Sequence, residues 1–157
     1  MRARVVAVGR LKKGWAADAC TDYQRRSQRL LPIDVHEVRD VPRRKGEPAA
    51  QAMAKEAEGI AAALEGAEVV VCLDERGKGL SSRAFADWLG ELRDSGRRSV
   101  AFVIGGPDGL DPALRERADR LWGLGPATMP HELARVVVME QIYRAGTLWA
   151  GLPYHRD

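Results

Sequence analysis

Three histidines, His36, His131 and His155, are the side chains of this 157-residue chain whose ordinary titration lies near neutral pH. His36 stands in the alternating run I-D-V-H-E-V and is expected at a surface or a strand edge. His131 opens a long helical run, and Arg135 follows one turn later on the same face. There His131 can cap or support the preceding loop, or meet a substrate. Arg135 can hold a phosphate or pair with Glu132 or Glu140. His155 lies between Tyr154 and Arg156, so a stacking ring, a proton-transfer group and a phosphate binder occupy three consecutive positions. A polar C-terminus without such a task usually frays. Cys20 and Cys72 are too few for a disulfide framework or a zinc site, and no metal is expected. Cys72, inside V-V-V-C-L, reads as a small buried hydrophobe.

A second constellation is made of glycine. In V-A-F-V-I-G-G-P-D-G-L-D-P, residues 100–112, an apolar run meets a glycine-rich turn and then a helix start. A Walker loop would need Lys and Ser or Thr after its last glycine, and the dinucleotide fingerprint would need G-x-G-x-x-G; neither is present. Asp108 and Asp111 bring negative charge to the following helix N-terminus, which favours a neutral or cationic ligand over phosphate. The turn can equally be structural, with glycines at positive φ. The segment Leu124 to His131 is neither helical nor alternating and offers bare main chain. It can read the edge of an adenine or serve as an ordinary strand-to-helix connection.

The elements that must position these residues alternate. Strands are expected at 2–8, 33–38, E-V-V-V-C-L-D (68–74) and 99–104, with a possible short strand at L-W-G-L. Helices are expected at 15–30, 49–65, from Ser81 or Ser82 to about Asp94, after Asp111 with Pro112 at its first position, and at 132–148. E-R-G-K-G-L and P-R-R-K-G-E-P read as loops. The two central strands are continuously apolar, as strands buried on both faces are. The pattern predicts an α/β fold, a mostly parallel sheet with helices on both faces, in one domain spanning 1–157.

Hydrophobic residues make up 45% and charged residues 30%, the balance of a globular protein. No apolar run reaches the length of a membrane helix, and M-R-A-R-V-V-A-V-G reads as a first strand rather than a signal peptide, so a cytoplasmic location is expected. The net charge of +3 permits a nucleic-acid partner without demanding one. Its basic clusters, Arg25 and Arg26 with Arg29, then Arg43, Arg44 and Lys45, are solvated faces or phosphate contacts.

Set side by side, these segments resemble the RlmH family of ribosomal RNA methyltransferases, within the SPOUT superfamily. The resemblance covers essentially the whole chain. L-D-E-R-G-K is similar to the family's L-D-x-x-G-K loop and V-I-G-G-P-D-G-L to its I-G-G-x-x-G-L signature. M-P-H-E-L-A-R-V-V-V-M-E-Q-I-Y-R-A resembles its x-P-H-x-x-x-R-x-x-x-x-E-Q-x-Y-R-A helix, and P-Y-H-R-D its tail. The resemblance implies a C-terminal trefoil knot, a homodimer, and a site for S-adenosyl-L-methionine (SAM) inside the knot. It implies methylation of N3 of a pseudouridine in 23S rRNA, in a large-subunit stem-loop near the decoding centre. Leu73 would then line the cofactor pocket, Gly105 and Gly106 would let main chain approach SAM, and Gly109 would close the turn. Leu124, Gly125, Pro126, Ala127, Thr128 and Met129 would wrap the cofactor. The tail Tyr154, His155 and Arg156 would lie at the active site with His131 and Arg135. Arg25, Arg26, Arg43, Arg44 and Lys45 become candidate RNA contacts. The family often carries serine where this chain has Gly123, Gly125 and Pro126, and Pro126 has no N–H to donate. That departure keeps open a second reading, a ribosome-binding protein of the same fold without SAM.

Overall fold

The first strand, β1 (Arg2–Val8), carries small and β-branched residues on both faces and is buried along most of its length. The computed structural model describes residues 1–156. After β1 come α1 (Trp15–Ser27), β2 (Ile33–Val38), α2 (Ala49–Ala63), β3 (Val69–Gly79), α3 (Ser82–Asp94) and β4 (Ser99–Ile104). The C-terminal part adds α4 (Pro112–Glu116), β5 (Arg120–Gly123) and α5 (His131–Trp149). The sheet order is β2-β1-β4-β3-β5, and each adjacent pair is parallel.

Side chains of a strand alternate between faces, and the core follows that rule. Val5 and Phe102 join α1, α3 and α5 on one side, where Cys20, Phe85, Leu89, Met139 and Ile142 are buried. Val6, Cys72 and Val103 join Ile60 of α2 and Leu114 of α4 on the other. Helices therefore cover both faces, as expected. Neighbouring strands β1 and β4 send their chains to opposite sides, β1 to α1 and β4 to α4. A crevice at the carboxyl ends of the sheet results, the usual ligand position in an open parallel sheet. Phe85 stacks on Trp122 with ring centroids 4.4 Å apart, and Phe102 lies 5.8 Å from Phe85.

Local signals behaved as their chemistry requires. Ser81 caps α3 by accepting from Ala84 N–H, and Asp111 caps α4 by accepting from Ala113 N–H, with Pro112 at the first position. Two boundaries differ from the expectation. The first helix ends at Ser27 rather than Leu30. The stretch E-R-G-K-G, expected as loop, is the far end of β3. Trp122 opposes Leu73 and then Lys78, so residues 74–77 bulge out and the chain rejoins β5. Glycine permits the return: a Cβ on Gly77 would lie 2.6 Å from Gly123 N, and one on Gly123 would lie 2.5 Å from Gly77 O.

Candidate functional site

Beyond the carboxyl ends of β3, β4 and β5 lies a cleft of about 580 Å³. Leu73, Gly105, Gly106, Gly109 and the whole segment Leu124–Met129 line it, so the structure gathers residues 56 positions apart in the chain around one cavity. Trp122 forms part of its wall as well as of the core. The aromatic packing of α3 and β4 against β5 thus fixes the position of the cleft wall.

The glycines serve the turn more than its visitor. Gly109 N–H donates to Gly106 carbonyl at 3.0 Å, and Gly109 takes φ +86°, which glycine adopts without cost. A Cβ on Gly105 would fall 2.7 Å from the Gly109 carbonyl carbon and oxygen. One on Gly106 would meet Val8 Cγ1 at 3.1 Å and the Glu56 carboxylate at 3.4 Å. The space that a side chain at either position would take is thus filled by the turn itself and by β1 and α2, while both residues line the cleft with main chain. Gly125, with φ +118° and open space around it, lies in the far wall.

Charge in the cleft comes from a place the motif pointed to without spelling out. Asp108 is held by Arg43 at 2.9 Å and Asp111 caps its helix; neither lines the cavity. Asp74, Glu75 and Arg76, in the bulge after Leu73, do. Asp74 is largely buried and meets Arg115 at 3.2 Å and Arg76 at 3.4 Å. Burial pushes its carboxyl up, but the Arg76 N–H and the Arg115 guanidinium outweigh that and hold it below the usual carboxylate range. Glu75 is exposed at the rim and has no ion pair among the described residues. Cys72, behind Asp74, is pushed up to about 12 by burial and by the Asp74 charge, and is inert as a nucleophile.

His131 also lines the cleft, at the first turn of α5. Arg135, expected to face a phosphate or pair with Glu132 or Glu140, is instead 1% exposed. Its Nη1 meets Glu37 Oε1 at 2.7 Å and its Nη2 donates to Gly9 carbonyl at 2.7 Å. A guanidinium so enclosed cannot reach RNA; it ties α5 to the ends of β1 and β2. Glu37 is 98 residues away in sequence, and no local signal marks it as the partner. His36 is exposed on the edge strand β2.

The tail forms a separate cluster. Tyr154 OH donates to Glu140 Oε1 at 3.0 Å, and its ring packs edge-on to Tyr143 with centroids 4.8 Å apart. Arg144 donates to Glu140 through Nε at 2.9 Å and lies 3.1 Å from His155 Nδ1. Burial, a hydrogen bond with Tyr23 and the Glu140 charge all push the Tyr154 phenol up. His131 and Arg144 stand at opposite parts of α5, roughly 20 Å apart along its axis. Within one chain, then, the tail does not reach the cleft.

The basic candidates divide. Arg26 lies over Tyr143 at 4.4 Å from its ring centroid and donates to its hydroxyl at 3.0 Å. It belongs to the tail cluster, where it is only partly accessible. Arg25 is exposed and pairs with Asp22 at 2.6 Å. Arg43 is half-exposed beside Asp108, while Arg44 and Lys45 are exposed in the loop before α2.

An all-parallel sheet with a main-chain-walled cleft beyond its carboxyl ends defines an α/β protein built around a small-molecule site. A family model described as "Predicted SPOUT methyltransferase" matches residues 1–155. A Brucella anthropi protein named ribosomal RNA large subunit methyltransferase H is 45% identical over 160 residues, covering 100% of both chains. A Gemmatimonas aurantiaca protein of the same name is 47% identical, covering 99% of this chain and 100% of the relative. Among solved structures, TrmJ from Z. mobilis ZM4 shares the fold with a TM-score of 0.54 and 17% identity, over 94% of this chain and 70% of that one. A Bordetella pertussis protein described as a probable methyltransferase does so with a TM-score of 0.57 and 16% identity, over 92% and 93%. The chain belongs to the SPOUT methyltransferase family and, within it, to the group of ribosomal RNA large subunit methyltransferase H.

Proposed function

We propose that this protein transfers a methyl group from SAM to N3 of a pseudouridine in 23S rRNA, acting as a homodimer on the large subunit or the assembled ribosome in the cytoplasm. The observation that carries the reading is the cleft: bare main chain from three strand ends, about 580 Å³ in volume, within the size range of cofactor sites. Its chemistry suits the donor. Glu75 offers an uncompensated carboxylate at the rim, whereas the Asp74 charge is balanced by Arg76 and Arg115. A cation is favoured there over a polyphosphate. Gly125 and Pro126 leave the cavity open, which argues against a fold-only, SAM-free protein. We read the chain as a single domain, with the C-terminal knot formed by the segments that wall the cleft.

SAM supplies a methyl group on a sulfonium centre. Leu73 and Trp122 give the cleft apolar wall, and the peptide groups of 124–129, Pro126 N excepted, can bond an adenine edge. Positioning of this kind supplies much of the rate of an in-line displacement. The proton on pseudouridine N3 must leave. His131 is the imidazole beside the cleft, and His155 is the one held by Arg144 in the tail. Because tail and cleft are apart in one chain, the reading places the tail of a second copy, with Tyr154, His155 and Arg156, over the first copy's cleft.

The experiment is to incubate the purified protein with labelled SAM and ribosomes from cells lacking it, then map modified nucleosides by mass spectrometry. The expected product is N3-methylpseudouridine at one large-subunit position. Label at another base, or none, overturns the assignment.

A further inference from the structure

A second cavity, of about 690 Å³, opens beside the cleft at the carboxyl end of β1. His131 lines both, and Pro107 in its wall directly follows Gly106 of the cleft. It occupies the crevice where the chains leaving β1 and β4 part to opposite faces of the sheet. Its outer wall is the loop Gly9–Lys13.

That loop is built rigidly from below. The buried Arg135 holds Gly9 carbonyl at 2.7 Å and Glu37 Oε1 at 2.7 Å, and the same Glu37 oxygen accepts Leu11 N–H at 2.9 Å. Gly9 takes φ +87°, and a Cβ there would stand 4.0 Å from His131 Nε2, so the imidazole leans toward the loop. With Gly9 and Leu11 fixed, Arg10, Lys12 and Lys13 stay exposed between and beyond them. Lys12 and Lys13 have no ion pair among the described residues, whereas Arg10 approaches Glu37 only at 3.9 Å.

The crevice is mixed in charge: Arg10, Lys12 and Lys13 face Asp40 and Glu132 across it. Two carboxylates would repel a free phosphate held in the centre. They suit instead the N–H edge of a nucleobase, with phosphates kept out at the lysines. We propose that this crevice holds one nucleotide of the RNA strand, its base between the Gly9–Lys13 loop and His131 and its flanking phosphates on Lys12 and Lys13. This rests on the function proposed above and adds the place where RNA enters relative to the methyl donor. His131, which lines both cavities, then borders this nucleotide on one side and the donor cleft on the other, so the acceptor base must pass beside the imidazole to meet the methyl group directly.

The test is the double variant Lys12→Glu/Lys13→Glu against a control of equal charge change on the far face of the sheet, Lys55→Glu/Arg117→Glu. Both are assayed with labelled SAM and ribosomes from cells lacking the protein. Loss of two phosphate contacts is expected to raise KM for ribosomes by about tenfold or more. The expected kcat stays within about twofold, the signature of lost ground-state binding, and SAM affinity by calorimetry is unchanged. A KM equal to that of the control overturns the inference alone. A rise in KM accompanied by dissociation in sedimentation also overturns it, since the loop would then face a second copy. No methyl transfer by the unaltered protein overturns the functional reading, and this inference with it.

Discussion

Two glycines of the cleft separate packing from conformation. At Gly105 an added Cβ has no room, 2.7 Å from the Gly109 carbonyl, so Gly105→Ala must open the turn. It is expected to cost about 1–3 kcal/mol, as overpacking does, and to abolish SAM affinity in calorimetry. At Gly125 there is space, but φ is +118°, so Gly125→Ala is expected to cost about 1–3 kcal/mol through backbone strain alone and to weaken SAM binding partially. Equal losses of SAM affinity in the two variants would contradict this division. Tyr154 allows a pH prediction. Its phenol is raised in the folded protein by burial, Tyr23 and Glu140. The stabilisation it contributes is therefore full below the ordinary tyrosine range and is lost as pH rises through the higher folded value. Ultraviolet titration should show one of the three tyrosines ionising last, and Glu140→Gln should bring that one down. An unchanged titration in the variant would remove Glu140 as a cause.

At the scale of elements, the join between α5 and the strand ends depends on Arg135. Removing one partner of a buried, hydrogen-bonded pair typically costs about 3–5 kcal/mol. Glu37 is 32% exposed, so Arg135→Ala should fall near the lower end in urea denaturation. Glu37→Gln keeps an acceptor for Leu11 N–H and is expected to cost less than half as much. The same helix shows where sequence reading stops. The spacing of His131 and Arg135 correctly placed them one turn apart on one face. With apolar residues at Val136, Val137 and Val138, however, the pattern cannot say which side of α5 is core, so an inward arginine read as an outward one. Strand β3 fails differently. Gly77 and Gly79 carry the composition of a loop, and only the partner Gly123, brought in by β5, turns Lys78–Gly79 back into strand. The remaining strands and helix caps were legible because apolar runs, Ser81 and Asp111 act locally. The loops after Leu73 and Ile104 could be brought together by the parallel pattern, which sets both at carboxyl ends of strands, whereas the place of 124–129 beside them was legible only through the family motifs.

At the scale of the whole molecule, the central fact is a separation. The cleft lies at the first turn of α5, while Tyr154 and His155 are packed against Glu140, Tyr143 and Arg144 near its other end. Exposed Trp15, Leu133 and Leu152, at 61%, 37% and 46% accessibility, lie at the start of α1, the start of α5 and the tail. Apolar residues at those places suit a two-fold contact that would bring one copy's tail to the other's cleft. Complementation decides the matter. Ala127→Trp fills the exposed cleft wall and should abolish SAM binding. Arg156→Ala, in the tail, should leave SAM binding intact and remove transfer. Each variant alone is expected to be inactive. Mixed in equal amounts and allowed to exchange, half the dimers carry one of each, and in those one of two sites pairs an intact cleft with an intact tail. Activity should return to about one quarter of the unaltered protein's. If the mixture stays inactive while sedimentation shows mixed dimers, tail and cleft must act within a single chain. Tyr154 would then have to leave Glu140 and Tyr143 and cross the length of α5 in every catalytic cycle.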